Sequence, residues 1–575
     1  MVKMISYHPG EHSQSDSEKP SKWLPNWIYS LILLVLIVSC GVLAYSSVFN
    51  DFFLSDDFVL VALFSQLGPW GLWVNQQHGQ SLFFRPVLSL ISFWDYQIWD
   101  LNPFGYHLTN FLFHLMNSLW VGLIAFFLGK TIQFEPIYQR LLPYLAALIF
   151  LLLPCHTEVV SWISARTDGV STFFGLLSFV VYLAYKYYFN PRLLLISSLF
   201  FLAALLSKES VVTYPGLIIL FELYEHFIRH NRRNSFAARF SICSLYIWVL
   251  ILYFLSRFFK LGELVGGYGT DVHLSFNLNT ILQNLVIYPT RVFITPQPTS
   301  DFQFWLMAFS GLVFLSLFSG VICWIRRRKF YQVPAILCFL IAAFFTLVLP
   351  AITVSVSTLD TQGERYLYFA SGFASIFLGI LLITILQNLT LILIVSSAIL
   401  LIFGTSTYTL NQNWNTASDI SKNILFSLEE IPKNQVIINS LPDNYQGAYI
   451  YRTGLIQGLY LFDENNKFEV EFHRKKFNRY FENVKFTTKN IKIVMNHSIV
   501  EPSDRILVNI PEAGVYQFLL SNPQASFYAW KKNDLETADY QVTNLEYSQY
   551  ELRFLDLSKV EDLVFYSSGK LVDKL

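Results

Sequence analysis

Asn50-Asp51-Phe52-Phe53-Leu54-Ser55-Asp56-Asp57 follows directly on the first long apolar run of the chain, residues 27–48. Two adjacent carboxylates therefore stand where a helix would leave a membrane. Charge at membrane depth is costly and by default marks a functional site. The competing reading is a pair of solvated loop residues that merely ends the helix. The rest of the chain bears on the choice, because each later group of unusual polar residues falls on the same side.

The chain has 575 residues, 54% apolar and 14% charged, with a mean hydropathy of +0.43. That is too apolar for a soluble globule and predicts many membrane spans. The net charge is zero, so nothing global points to nucleic acid as a partner. Cys40, Cys155, Cys243, Cys323 and Cys338 lie in or beside apolar runs without a CxxC pair. They read as packing residues rather than a disulfide frame or a metal site. Residues 1–26 read as a cytoplasmic tail. The run that follows is too long for a signal-peptide core and is expected to be a retained first span.

Apolar runs that could span lie near 27–48, 106–128, 141–155, 168–186, 192–206, 212–228, 237–256, 302–325, 334–352, 366–386 and 389–408, eleven in all. A span needs about 20 apolar residues, so the runs at 141–155 and 192–206 are short. Orientation follows from Lys and Arg in the connecting loops. With the basic N-terminus inside, Lys130 and Arg140, then Lys186 and Arg192, fall in inner loops, as do Arg229, Arg232, Arg233 and Arg239, and Arg326, Arg327, Arg328 and Lys329. The same alternation puts the long first loop 49–105, the loop 257–301 and everything after residue 410 outside the cytoplasm.

The outer side collects the unusual polar residues. The first loop holds Asp56 and Asp57, Phe84-Arg85-Pro86 and Trp94-Asp95-Tyr96. His107, Asn110, His114 and Asn117 recur at helical spacing along the second span. His114 and Asn117 read as helix–helix hydrogen bonding; His107, near the outer end, fits site and scaffold equally. A short segment then carries His156, Glu158, Arg166 and Asp168, the next Lys208 and Glu209, and the last Glu364, Arg365 and Tyr366.

Arg85, Arg166, Lys208, Arg291 and Arg365 lie on the side that should be poor in basic residues. Sequence neighbours on a helix do not face each other, so pairs such as Lys208 with Glu209 or Arg365 with Glu364 are disfavoured. These cations should meet partners from other segments or an anionic ligand, for which a lipid phosphate is the natural choice at that depth. A carboxylate near a hydroxyl can act as general base, and cations on a phosphate leaving group stabilise its developing charge. Sugar transfer from a polyprenyl-phosphate donor needs both. The loop around Gly266 reads either as a lid or as an ordinary linker.

The ordered set Ser55-Asp56-Asp57, Phe84-Arg85-Pro86, Gly105-Tyr106-His107-Leu108-Thr109-Asn110, His156-Thr157-Glu158, Arg166-Thr167-Asp168, Lys208-Glu209 and Glu364-Arg365-Tyr366-Leu367-Tyr368 resembles the membrane-integral glycosyltransferases of the GT-C type. The nearest resemblance is to the protein O-mannosyltransferase-like group, including members that carry tetratricopeptide repeats. It implies an α-helical polytopic membrane fold and an outer-loop carboxylate as base, carried to Asp56 first and Asp57 second. It also implies outer basic residues (Arg85, Lys208, Arg365) that hold the lipid phosphate of a polyprenyl-phosphate sugar donor. His107, His156, Glu158, Arg166, Asp168, Glu209 and Tyr366 join the substrate- and phosphate-binding set. The acceptor is a hydroxyl of a protein, glycan or lipid. No cofactor is expected; a divalent metal is not favoured, although Asp56, Glu158 and Asp168 could ligate one if they converged.

Residues 27–409 form the expected transmembrane module. Residues 410–575 show no repeat of about 34 residues. Val436–Asn439, Ala448–Tyr451, Ile491–Val494 and Arg505–Ile510 read as short strands of a small α/β or mostly-β module outside the cytoplasm. A bacterial cell membrane is the expected location, with the endoplasmic reticulum as the alternative. A transporter or flippase is the competing function, disfavoured because no internal repeat is visible and the charges gather at one face.

Overall fold

The protein is described as a computed structural model. It covers residues 26–70, 83–132, 134–228, 236–262, 277–326, 332–430 and 441–462, with further short strands from 436 to 572. The N-terminal tail before residue 26, the Gly266 loop, and the strands expected at Ile491–Val494 and Arg505–Ile510 lie outside the described residues. So do the basic clusters Arg229, Arg232, Arg233 and Arg327, Arg328, Lys329.

All eleven apolar runs are helical. Among the described residues seven helices are long and apolar enough to cross a membrane. They are Pro103–Gly129, Ile163–Tyr188, Ala237–Leu261, Phe302–Ile325, Val333–Ala351, Glu364–Leu386 and Leu389–Phe426. An eighth is the pair Pro136–Leu152 and Pro154–Ser161, bent by 59°. The chain is thus a helical, multi-pass membrane protein, and among the described residues seven of the eleven expected spans, or eight with the bent pair, meet that test. Three further apolar helices accompany them: α1 (Asn26–Ala44), of 19 residues; Pro191–Leu205, of 15; and Tyr214–Leu223, prolonged by the π-turn Tyr224–Ile228.

The break at Pro154 has a local cause. Proline has no N–H to donate, and here it opens a 3-10 turn, Pro154–His156. Beyond it, Thr157–Ser161 runs in a new direction and carries Glu158 inward.

Two apolar cores result. The larger is the bundle itself, from Val121 and Phe150 through Phe179, Tyr214 and Phe373. The smaller sits at one end and joins Phe52, Phe53, Phe58 and Tyr106 to Trp162, Trp414, Tyr449 and Tyr451. The last long helix links the two. It runs from Leu389 to Glu430, 42 residues, or about 63 Å at 1.5 Å per residue. A bilayer core is about 30 Å thick, so half of this helix projects beyond it. No break marks residue 409/410.

Short strands follow. Val436–Ile438 pairs in parallel with Asp562–Ser567, and Leu441–Tyr445 lies between Ala448–Tyr449 and His497–Ile499. Val515–Leu519, Gln549–Phe554 and Tyr540–Glu546 form a third sheet, and Glu469–Phe472 pairs with Val484–Thr487.

The opposite end of the bundle is closed by Glu222. Its carboxylate accepts from Tyr182 Oη (2.5 Å), Lys186 Nζ (2.8 Å) and Arg239 Nη1 (2.6 Å). The two polar ends are therefore distinct, and Asp56, Arg85, Lys208 and Arg365 all belong to the end that carries the smaller core.

Candidate active site at the Asp56 end of the bundle

Helix α2 (Asp56–Leu67) begins at an elbow. Ser55 has φ 45° and ψ −116°, which costs a residue with a Cβ and persists only where its surroundings over-determine it. The two carboxylates that follow have different fates. Asp57 is fully buried. Its Oδ2 accepts from the Leu54 N–H at 3.0 Å, and its Oδ1 from the Ser164 N–H at 2.8 Å and hydroxyl at 2.5 Å. Burial pushes its carboxyl up to about 7, against those hydrogen bonds, and the Asp56 charge adds to the rise. Asp57 thus pins the elbow to the turn at Ile163–Ala165.

Asp56 is only partly buried. Its Oδ1 accepts from the Thr453 hydroxyl, and its Oδ2 has no hydrogen-bond partner among the described residues. Enclosure raises its carboxyl, while Thr453 and then the charges of Arg365 and Arg452 pull it back. Of the two acids, Asp56 is therefore the one with an oxygen to offer.

The five outer cations meet partners from distant segments. Arg85 forks onto Glu209 at 3.1 and 2.6 Å. Arg166 reaches Asp95 Oδ2 at 2.5 Å, Asn110 Oδ1 at 2.9 Å and the Tyr106 carbonyl at 2.9 Å. Lys208 Nζ lies 2.6 Å from Asp168 Oδ2. Arg291 pairs with Glu364, and Arg365 with Glu158. Sequence-adjacent pairing is avoided, as the geometry of neighbouring residues requires.

Of the two fates expected for these cations, a partner from another segment or an anionic ligand, all five show the first. Arg166 has all three guanidinium nitrogens engaged and is 2% exposed; Arg291 is fully enclosed. Both are staples of the fold. Arg365 differs: its side chain is 20% exposed, the most of the five. Burial would raise the Glu209 pKa, but the Arg85 guanidinium brings it down to about 2, so that pair stays ionised. Glu158 and Asp168, weighed above as metal ligands with Asp56, are instead engaged by Arg365 and Lys208. Among the described residues no group of three metal-ligating side chains converges.

Tyr366 stands between Arg365 and the buried Lys208. Its ring centroid lies 4.9 Å from the Arg365 guanidinium and 5.9 Å from Lys208 Nζ. Beside it a narrow cleft opens between Asp168, Ser171, Ser210, Arg365, Tyr366 and Phe369.

The histidines are interior. His114 bonds Tyr368 Oη at 2.8 Å and the Leu151 carbonyl at 3.0 Å, and Asn117 bonds the Gly169 carbonyl at 3.0 Å. They cement helices, as the spacing predicts. His156 Nε2 lies 2.7 Å from Ser371 Oγ. His107 is fully buried, with no side-chain partner on either ring nitrogen among the described residues. Neither His107 nor His156 opens onto the cleft. Gly105, in the same motif, is required by packing: a Cβ there would lie 2.0 Å from the Trp99 ring.

Residues that sequence reasoning gave no part in the site, some of them in the expected strand Ala448–Tyr451, complete this end. The segment 446–454 folds back onto it. Tyr449 Oη lies 3.4 Å from Arg365, and Arg452 donates to Gln362 Oε1 at 3.3 Å with its guanidinium 4.4 Å above the Tyr449 ring. The only local signal is the turn Arg452-Thr453-Gly454.

Comparison with known proteins agrees with the resemblance. No family model matches the chain. In sequence it is similar to the human protein O-mannosyl-transferase TMTC1, 24% identical over 211 residues, which cover 33% of this chain and 23% of that protein. The mouse protein O-mannosyl-transferase TMTC3 is 28% identical over 159 residues, covering 27% of this chain and 16% of that one. The Drosophila melanogaster protein O-mannosyl-transferase Tmtc1 is 30% identical over 146 residues, 25% and 16% respectively. The matches thus span under a quarter of the length of these relatives. Among solved structures, ArnT from Cupriavidus metallidurans bound to undecaprenyl phosphate aligns over 76% of this chain and 88% of its own, at 11% identity and a TM-score of 0.32. That alignment is loose, and nothing about the site follows from it.

Proposed function

We propose that this chain is a membrane glycosyltransferase that moves a sugar, mannose by its similarity to the O-mannosyl-transferases, from a polyprenyl-phosphate donor to an acceptor hydroxyl. The carrying observation is the placing of Asp56. It stands at the N-terminus of a helix with one carboxylate oxygen unengaged, in the field of Arg365 and Arg452. In this reading the acceptor oxygen bonds to the sugar's anomeric carbon as the bond from that carbon to the phosphate oxygen breaks. Asp56 takes the acceptor's proton. Arg365, with Lys208 across the Tyr366 ring, stabilises the charge left on the departing lipid phosphate. Asp57, Arg166 and Arg291 hold the frame.

The site faces away from the cytoplasm in this reading, since Lys130 and Lys186 lie at the opposite end. A bacterial cell membrane fits that orientation, and the acceptor is a protein, glycan or lipid hydroxyl. The test is Asp56→Asn in membranes supplied with labelled polyprenyl phosphate mannose. Transfer should be abolished with expression intact, and full activity would remove Asp56 as the base.

A further inference from the structure

The turn Arg452-Thr453-Gly454 is keyed into the elbow that carries Asp56. The Ser55 N–H donates to the Ile450 carbonyl at 2.9 Å. The Thr453 N–H donates to Ser55 Oγ at 3.3 Å, and the two hydroxyls lie 3.3 Å apart. Gly454 sits against the same residue with φ +90°, where an added Cβ would lie 2.1 Å from the Ser55 carbonyl oxygen. Phe58, in the first turn of α2, stacks on Tyr451 with ring centroids 5.7 Å apart and planes 14° from parallel. Four residues of a segment some 400 positions away in sequence, Ile450, Tyr451, Thr453 and Gly454, thus over-determine a strained elbow. The Thr453 hydroxyl then ends on Asp56 Oδ1.

We propose that this turn is part of the active site and that Thr453 is a positioning residue, holding Asp56 by Oδ1 so that Oδ2 is left for the acceptor hydroxyl. The inference rests on the reading of Asp56 as base, and it adds a second function to the contact. A donor bonded to the ionised carboxylate favours that form, so Thr453 keeps Asp56 available to accept a proton. The charged and titratable groups facing Asp56 are Arg365 at the head of the 364–386 helix, Arg452 on the turn and Asp57 on α2 itself. The two guanidiniums act in the same direction as Thr453 and the neighbouring carboxyl acts against it. Thr453 differs from all three because it acts through a single directional bond that one substitution removes.

The test uses the full-length protein in detergent and two variants of Thr453. Thr453→Val keeps the branched shape and removes the hydroxyl; Thr453→Ser keeps the hydroxyl. Asp56 is titrated by infrared difference spectroscopy, its protonated carbonyl band being the one lost in Asp56→Asn. We expect Thr453→Val to raise the proton affinity of Asp56 about tenfold, and Thr453→Ser to leave it near the parent value. The acid limb of mannosyl transfer should move by the same amount in the same variant. Equal midpoints in the parent and Thr453→Val would overturn the inference. So would equal displacement by both substitutions, which would mean the turn had merely loosened. The titration needs no turnover, so failure of Asp56 as base, seen as full activity in Asp56→Asn, is read separately.

Discussion

Arg166→Met tests whether the outer cations are staples or ligand sites. The guanidinium is 2% exposed and holds Asp95, Asn110 and the Tyr106 carbonyl at 2.5, 2.9 and 2.9 Å. Methionine fills a similar volume, so little of the loss comes from a cavity. What remains is Asp95, 8% exposed at its side chain, with its counter-charge gone; Thr109 Oγ1 still donates to it at 2.8 Å. Removing one partner of a buried pair costs about 3–5 kcal/mol, because the remaining charge is left uncompensated. Adding Asp95→Asn removes that charge, and the double variant should recover at least about 1 kcal/mol of the loss, a coupling expected of residues in contact. The assay is reversible chemical unfolding in detergent of the parent, both single variants and the double. A single variant within about 1 kcal/mol of the parent would refute the reasoning. So would losses that simply add.

Two further outcomes follow from the carboxylates. Asp57→Asn keeps one acceptor oxygen but turns an amide toward N–H or O–H donors, so it should destabilise by about 1–3 kcal/mol; denaturant unfolding checks it, and an unchanged midpoint contradicts the anchoring role. Burial raises Asp51 to about 8 and Asp57 to about 7 in the folded state. Both carboxyls are about 4 when unfolded. The folded state therefore binds the extra protons, and this contribution is full below about pH 4 and lost as pH rises through 7 and 8. Stability measured from pH 5 to 9 should fall, with the slope reduced in Asp57→Asn; a rise across that window would contradict the assignment.

Much of the architecture was legible because hydropathy and loop charge are local. Every apolar run is a helix, and the polar stripe of His114 and Asn117 does cement helices. The shape of the individual helices was less legible. Length in an apolar run does not show that Pro154 bends a helix by 59°, nor that Tyr214–Leu223 passes into a π-turn at Tyr224. Which cation takes which acid was out of reach: the partners of Arg365 and Arg85 lie 207 and 124 positions away. The rule that sequence neighbours do not face each other excluded the wrong pairs without naming the right ones. Thr453 was missed for the same reason, since its meaning depends on a contact 397 positions away.

The central claim is that Asp56 removes the acceptor's proton while Asp57 only holds the elbow. The most direct measurement is mannosyl transfer from labelled polyprenyl phosphate mannose by membranes bearing Asp56→Asn, alongside donor binding by the same purified variant. The account predicts that transfer is lost while donor binding and the unfolding midpoint stay at the parent's values. Transfer at the parent rate would contradict it.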